Sequence, residues 1–176
     1  KDLIPLPEPL TYKDGAQVAC GFGTVYEAIE KIGVSGNHTV LVTGLGPVGL
    51  AALMLARAMG ADKLIGVEMN DYRIRLAKKL GLADLIIKPG DGALEEILEA
   101  TGGHGAERAI DASANDQARQ LAVRGTREWG KIAFVGEGGT STLNPSPDMI
   151  HGQKTIYGSW VTSLWKKEEL TEHLVR

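Results

Sequence analysis

The stretch that decides the fold is Thr39–Gly60, TVLVTGLGPVGLAALMLARAMG. Its first part, TVLVTG (39–44), is a nearly continuous apolar run rich in β-branched residues, which is typical of a strand buried on both faces. The segment Pro47–Gly60 is apolar almost all round, which predicts a buried helix. The linking GLGPVG therefore has the G-x-G-x-x-G spacing and lies between a strand and a helix.

The same strand-then-helix rhythm continues on both sides of this stretch. A helix that Asp71 caps and Gly81 ends follows the second strand. Alternating strands and helices imply parallel pairing through right-handed crossovers. We therefore predict an α/β fold, a doubly wound parallel six-stranded sheet (Rossmann) with strand order 3-2-1-4-5-6. The other predicted strands are 63–68, 84–88, 105–113, 130–137 and 154–160, and the other helices are 24–32, 93–100 and 117–124.

The glycine-rich turn predicts a dinucleotide site. Gly44 permits the tight turn, Gly46 lets a pyrophosphate approach the backbone, and Gly49 lets helix and strand pack closely. Free amides at the helix start then face the phosphates. Pro47 fits the first helical turn because its missing N–H is not needed there. A tight turn with no ligand is the alternative.

An acidic residue at the end of the second strand favours NAD over NADP. Glu68 lies 24 positions after Gly44, where a carboxylate accepts hydrogen bonds from the adenosine ribose and repels a 2′-phosphate. Arg73, one helical turn later, either sits beside the ribose or neutralises a phosphate. A methyltransferase that binds S-adenosylmethionine also uses a glycine turn and an acid, but no hairpin with a reversed last strand is predicted here.

Composition is ordinary for a globular protein. The 176 residues are 43% hydrophobic and 23% charged with a net charge of −3, so we expect no nucleic-acid partner and no anionic membrane partner. The longest apolar candidate, Val48 to Met59, is too short to span a bilayer. One cysteine fits a reducing, cytoplasmic location. Lys1 is not an initiator methionine and the last residues read as a continuing helix, so we expect a piece of a longer protein.

With its glycine turn TGLGPVGL, its acid 24 positions later and its helix ending AKKLGLAD, the chain resembles the zinc-dependent alcohol dehydrogenases. These belong to the medium-chain dehydrogenase/reductase superfamily, with the sorbitol and threonine enzymes. The resemblance implies NAD, zinc in the full-length parent, an alcohol or polyol substrate and hydride transfer to nicotinamide. It divides the chain into a linker or remnant of the catalytic domain (1–21), an NAD-binding Rossmann domain (22–160) and the start of the return segment (161–176).

The resemblance also implies a metal ligand. Cys20 in ACGFGT matches the position of a zinc ligand just before the cofactor domain, where many polyol dehydrogenases have glutamate instead. By residue type alone, a small buried core residue is the favoured interpretation of Cys20. One ligand does not hold zinc tightly, so we expect this chain to be metal-free and to contain no catalytic residue.

Other cofactor-binding positions follow from the same resemblance. Thr24 matches a residue near the nicotinamide, Val135 and Gly136 match the backbone under the ring and its ribose, and Ser159 matches the carboxamide segment. Met69 and Ser113 match positions beside the adenine, and for each of these matches ordinary strand-end packing is the alternative. Val48 is part of the glycine turn.

Family members pair through the last strand, so TIYGSW (155–160) predicts a homo-oligomer edge. Three other functions remain open at this point. One is a zinc-free reductase of the same superfamily that acts on quinones or enoyl thioesters, and another is a free-standing nucleotide-binding module. The third is the methyltransferase that binds S-adenosylmethionine.

Overall fold

Six parallel strands form one sheet in the computed structural model, which describes residues 3–175. The strands are β1 (Thr39–Thr43), β2 (Lys63–Val67), β3 (Leu85–Ile87), β4 (Ala106–Asp111), β5 (Thr126–Phe134) and β6 (Thr155–Gly158). Their order is β3-β2-β1-β4-β5-β6, and every neighbouring pair is parallel. The predicted doubly wound fold and strand order are therefore confirmed.

Helices cover both faces of this sheet. They are α1 (Tyr12–Gln17), α2 (Gly23–Ile32), α3 (Pro47–Ala58), α4 (Asp71–Lys79), α5 (Ala93–Ala100), α6 (Asp116–Arg124) and α7 (Leu164–Val175), with π-turns at Val18–Phe22 and Ser146–Ile150. Among the residues that the structure describes, no helix is long and apolar enough to cross a membrane.

The core consists of two layers because the strands are buried on both sides. Val40 and Val42 of β1 pack in one layer with α2 and α3, while Leu41 between them packs in the other with α5 and α6. All three side chains are fully buried. The unbroken apolar run of β1 follows from this arrangement, since neither face of the strand meets water.

Three local features differ from the sequence predictions. The predicted linker contains α1, which begins with a reciprocal capping box between Thr11 and Asp14. Asn70, not Asp71, is the N-cap of α4, because its side chain accepts the first free amides of the helix. β5 begins at Thr126 instead of at residue 130. None of the three alters the sheet order.

The sheet order creates a crevice at its carboxyl edge. The chain leaves β1 towards β2 on one side and β4 towards β5 on the other, so the loops after β1 and β4 diverge there. Gly44, directly after β1, donates its amide to the carbonyl of Val67, and Ala112, directly after β4, donates to that of Thr43. The predicted cofactor residues lie around this edge.

Candidate cofactor-binding site

The three glycines of the turn after β1 differ in how much space surrounds them. Gly44 has a φ of +85°, and a Cβ there would lie 2.8 Å from Cα of Ser113. A Cβ on Gly49 would lie 1.8 Å from the carbonyl oxygen of Gly44. A Cβ on Gly46 would meet only the Arg73 guanidinium, at 3.8 Å, which is ordinary contact. Packing therefore requires glycine at positions 44 and 49. At position 46 packing does not require glycine, and the backbone there is accessible to a ligand.

The start of α3 differs from the other helix starts at the same edge. Asn70 and Asn115 cap α4 and α6, and the first turns of α4, α5 and α6 each contain an acidic residue. The N-cap of α3 is Gly46, with no side-chain cap, and its first turn contains no acidic residue. The first turn of α3 therefore contributes neither a capping side chain nor an anion of its own to the positive end of the helix dipole, which suits a phosphate.

Glu68 follows β2, and its side chain is only 4% exposed. Its Oε2 accepts the amide of Leu45 at 2.8 Å, and its Oε1 accepts the amides of Met69 and Asn70, both at 2.9 Å. Burial by itself raises the pKa of Glu68. The three backbone hydrogen bonds and the Arg73 charge outweigh it and hold this pKa below its ordinary value. Glu68 is thus an ionised brace between the glycine turn and the loop after β2.

Arg73 provides the fourth contact of this carboxylate. Its Nη1 lies 3.5 Å from Oε2 of Glu68, and its side chain is 49% exposed. A carboxylate has about four acceptor positions, so the backbone amides and Arg73 together fill those of Glu68. The Arg73 contact is the longest of the four and the most exposed. It is therefore the one that a ligand hydroxyl replaces at the lowest cost.

A second buried carboxylate at this edge escaped the sequence analysis. Asp111, the last residue of β4, is fully buried and accepts the Thr43 hydroxyl at 2.9 Å and the Ser113 amide at 3.1 Å. Nε of Arg119 on α6 donates to it at 3.2 Å. Its sequence signal was weaker than that of Glu68, because β4 also contains the charged Glu107 and Arg108. Arg119 had no sequence signal, because nothing in α6 marks its inward face as polar.

The remaining predicted residues are spread along the crevice and its flank. The amides of Val135 and Gly136 both donate to the Asp111 carbonyl, which ties the loop after β5 to β4. Ser159 is buried and accepts a hydrogen bond from Lys31 of α2, the helix whose first turn contains Thr24. Met69 is exposed. Pro47 and Val48 lie in the first turn of α3, as predicted.

Cys20 lies in the π-turn that precedes α2 and packs against α3. Its thiol is free and the residue is exposed, so it is not the small buried core residue that was the alternative above. Single π-turns inside helices occur frequently at functional sites.

Residues 47–176 match the sequence model of a family described as zinc-binding dehydrogenase. The chain belongs to the zinc-binding dehydrogenase family. It is 46% identical, over 99% of its length, to the uncharacterized zinc-type alcohol dehydrogenase-like protein YphC of Escherichia coli, of which it covers 49%. It is 33% identical, over 74% of its length, to the sorbitol dehydrogenase of Bacillus subtilis, of which it covers 37%.

Solved structures agree with this membership. An NAD-dependent alcohol dehydrogenase superposes with a TM-score of 0.85 at 26% identity, over 97% of this chain and 50% of that one. The chain therefore spans about half the length, or less, of the zinc-binding dehydrogenases that it matches. It covers the cofactor-binding part of the family's architecture.

Residues 3–175 do not contain a complete site for the zinc ion of this family. A zinc site uses three or four protein donors. No group of three or more His, Cys, Asp or Glu side chains in this part of the chain is placed to hold a metal ion. The described residues alone do not fit zinc, and Cys20 supplies at most one donor.

Proposed function

We propose that the chain is the NAD-binding domain of a dehydrogenase that oxidises an alcohol or polyol. The observation that carries the proposal is the uncapped, acid-free start of α3 behind an open Gly46, with the ionised Glu68 at the end of the next strand. Two relatives support the reaction class, since one is a sorbitol dehydrogenase and another an NAD-dependent alcohol dehydrogenase. When bound, NAD accepts a hydride from the alcohol carbon.

The residues of this chain bind and orient the cofactor. The first turn of α3, with Gly44, Gly46, Pro47, Val48 and Gly49, receives the pyrophosphate on free amides. Glu68 accepts a ribose hydroxyl once Arg73 moves aside, while its three backbone hydrogen bonds keep the carboxylate in place. In the same proposal the adenine lies by Met69 and Ser113, and the nicotinamide lies by Thr24, Val135, Gly136 and Ser159.

The proposal extends to the longer protein. Cys20 is one donor of a zinc site whose other ligands come from outside this chain, and its exposed thiol at the start of α2 supports that role. Residues 1–21 and 161–176 then lead from and to the catalytic domain. The outer edge of β6, with the exposed Trp160 and Trp165 nearby, supports a homo-oligomer through this strand. We place the protein in the cytoplasm.

Substituting Gly46 separates nucleotide binding from folding. In Gly46→Ser the new hydroxyl caps α3, so the variant should be as stable as the wild type or more stable by a few tenths of a kcal/mol. The same hydroxyl accepts a hydrogen bond from a backbone amide that the pyrophosphate would otherwise use, so NADH affinity should fall by about tenfold or more. Nicotinamide fluorescence gives the affinity, and urea unfolding gives the stability.

Gly36→Ser is the matched control, since a Cβ at Gly36 also meets only ordinary contact, at 3.6 Å from the Gly60 carbonyl. It lies in the loop before β1 and should change neither measurement. Wild-type protein should bind NADH more tightly than NADPH because of Glu68. Equal NADH affinity in Gly46→Ser and wild type would show that the pyrophosphate does not lie on this turn.

A further inference from the structure

Two loops meet at the carboxyl edge in the second half of the sheet. They are residues 112–115, after β4, and residues 135–140, after β5. A Cβ on Gly136 would lie 2.4 Å from the amide nitrogen of Ala114, and one on Gly139 would lie 2.0 Å from its carbonyl oxygen. Ala114 itself has a φ of +60°. The loops pack backbone against backbone, so a shift of one displaces the other.

A single side chain links both ends of the second loop to the sheet. Nη2 of Arg119 donates to the carbonyl of Gly136 at 2.6 Å, and Nη1 donates to that of Thr140 at 2.9 Å. Its Nε donates to Asp111 at 3.2 Å, and its guanidinium lies 5.4 Å from the centre of the Phe134 ring. The planar guanidinium therefore spans residues 136–140 from end to end.

Burying the Arg119 guanidinium carries a desolvation cost, which suggests that its contacts with the loop have a function. Arg119 is 7% exposed and is the only buried lysine or arginine within residues 3–175. Burying a cation requires compensation, and Asp111 supplies the opposite charge. An apolar side chain at position 119 would pack on the same face of α6 without that cost. Unlike an apolar side chain, arginine also donates hydrogen bonds to the two loop carbonyls, those of Gly136 and Thr140.

We infer that Arg119 is a positioning residue for the nicotinamide half of the cofactor. The inference rests on the proposed function, in which Val135 and Gly136 face the nicotinamide. Arg119 does not touch the cofactor; it holds the 136–140 loop in the shape that receives it. The adenosine half is bound by the glycine turn and Glu68, which Arg119 does not contact.

The test compares two ligands on the same chain. ADP engages only the adenosine half of the site, whereas NADH engages both halves. In Arg119→Lys the charge beside Asp111 remains, but one ammonium does not reach both carbonyls. NADH affinity should fall by about tenfold while ADP affinity stays within about twofold of wild type. Amide hydrogen exchange in residues 136–140 should become faster, with exchange in α3 unchanged.

Arg124→Lys is the matched control. Arg124 lies at the other end of α6 and pairs with the buried Asp148 at 2.9 Å. It should leave the NADH-to-ADP affinity ratio and the loop exchange unchanged. If Arg119→Lys does not fold, Gly139→Ala displaces the same loop by the contact with Ala114 and should give the same selective loss of NADH.

The outcomes separate the inference from the proposed function. Failure of the wild-type chain to bind ADP or NADH would overturn the proposed function and the inference that rests on it. If wild type binds both but Arg119→Lys weakens both equally, only the inference is overturned. Unchanged exchange in residues 136–140 would overturn it as well, because the loop would not depend on Arg119.

Discussion

Two buried carboxylates, Glu68 after β2 and Asp111 at the end of β4, stand at the same edge of the sheet and are neutralised in different ways. Glu68 accepts three backbone amides and one half-exposed arginine at 3.5 Å. Asp111 accepts side-chain and backbone donors and one arginine that is itself buried. Glu68 therefore has one exchangeable partner, whereas Asp111 has none. This difference is what the proposed function requires, with Glu68 available to a ligand and Asp111 committed to internal structure.

Removing Asp111 should produce the largest effect. Asp111→Ala leaves Arg119 buried without its counter-charge, and breaking a buried pair on one side costs about 3–5 kcal/mol of unfolding free energy. Urea unfolding at neutral pH measures this cost. The double variant Asp111→Ala/Arg119→Met should recover part of it, because no unpaired charge remains. A loss below about 1 kcal/mol in the single variant would contradict a closed, structural pair.

Glu68→Gln should have a smaller, pH-dependent effect. The substituted side chain would place an amide N–H₂ against backbone donors, which costs about 1–3 kcal/mol at neutral pH. Since the folded-state pKa of Glu68 is lowered, its contribution is complete above the ordinary glutamate pKa of about 4.3 and is lost as the pH falls through the folded-state pKa. The stability difference from wild type should therefore be constant near neutral pH and shrink as the pH falls below about 4.3.

Glu99→Gln, on the exposed side of α5, is the control for this measurement. Its difference from wild type should be small and should not vary in the same way with pH. A Glu68→Gln difference that stays constant down to about pH 3 would show that the charge of Glu68 is not what braces the two loops.

The smallest effect on stability should come from Arg73→Leu. An exposed ion pair contributes about 0.2–1 kcal/mol, so unfolding should change little. Its effect should appear in cofactor choice, because Glu68 without the nearby cation repels a 2′-phosphate more strongly. The ratio of NADH to NADPH affinity should rise, with Arg75→Leu on the same helix as control. An unchanged ratio would mean that Arg73 does not face the ribose.

The sequence predicted the sheet order and the glycine turn because both are written in local patterns. An apolar run of β-branched residues indicates a buried strand, and glycine spacing indicates a turn. Glu68 was found for the same reason, since its place after β2 is a position along the chain. Its hydrogen-bond partners in the turn after β1 were not predicted, because that contact joins two loops that are distant in sequence.

The second half of the site was harder to predict for the same physical reason. Arg119 is identified only by what surrounds it, namely the end of β4 and the carbonyls of the loop after β5. Helical periodicity indicates which face of α6 is buried but not that a cation lies on it. α1 was missed differently: its capping box was visible in TYKD, but the prolines before it favoured a linker.

The π-turn at Val18–Phe22 sets the direction in which Cys20 faces. An α-helix advances about 100° per residue, and a π-turn contains one residue more than an α-turn, so everything before it is rotated by about that angle relative to an unbroken helix. The additional residue therefore fixes the angle about the helix axis between α1 and α2. Losing one residue from the π-turn would turn α1 by about 100° about the helix axis relative to α2 and present a different face of α1 to the rest of the molecule.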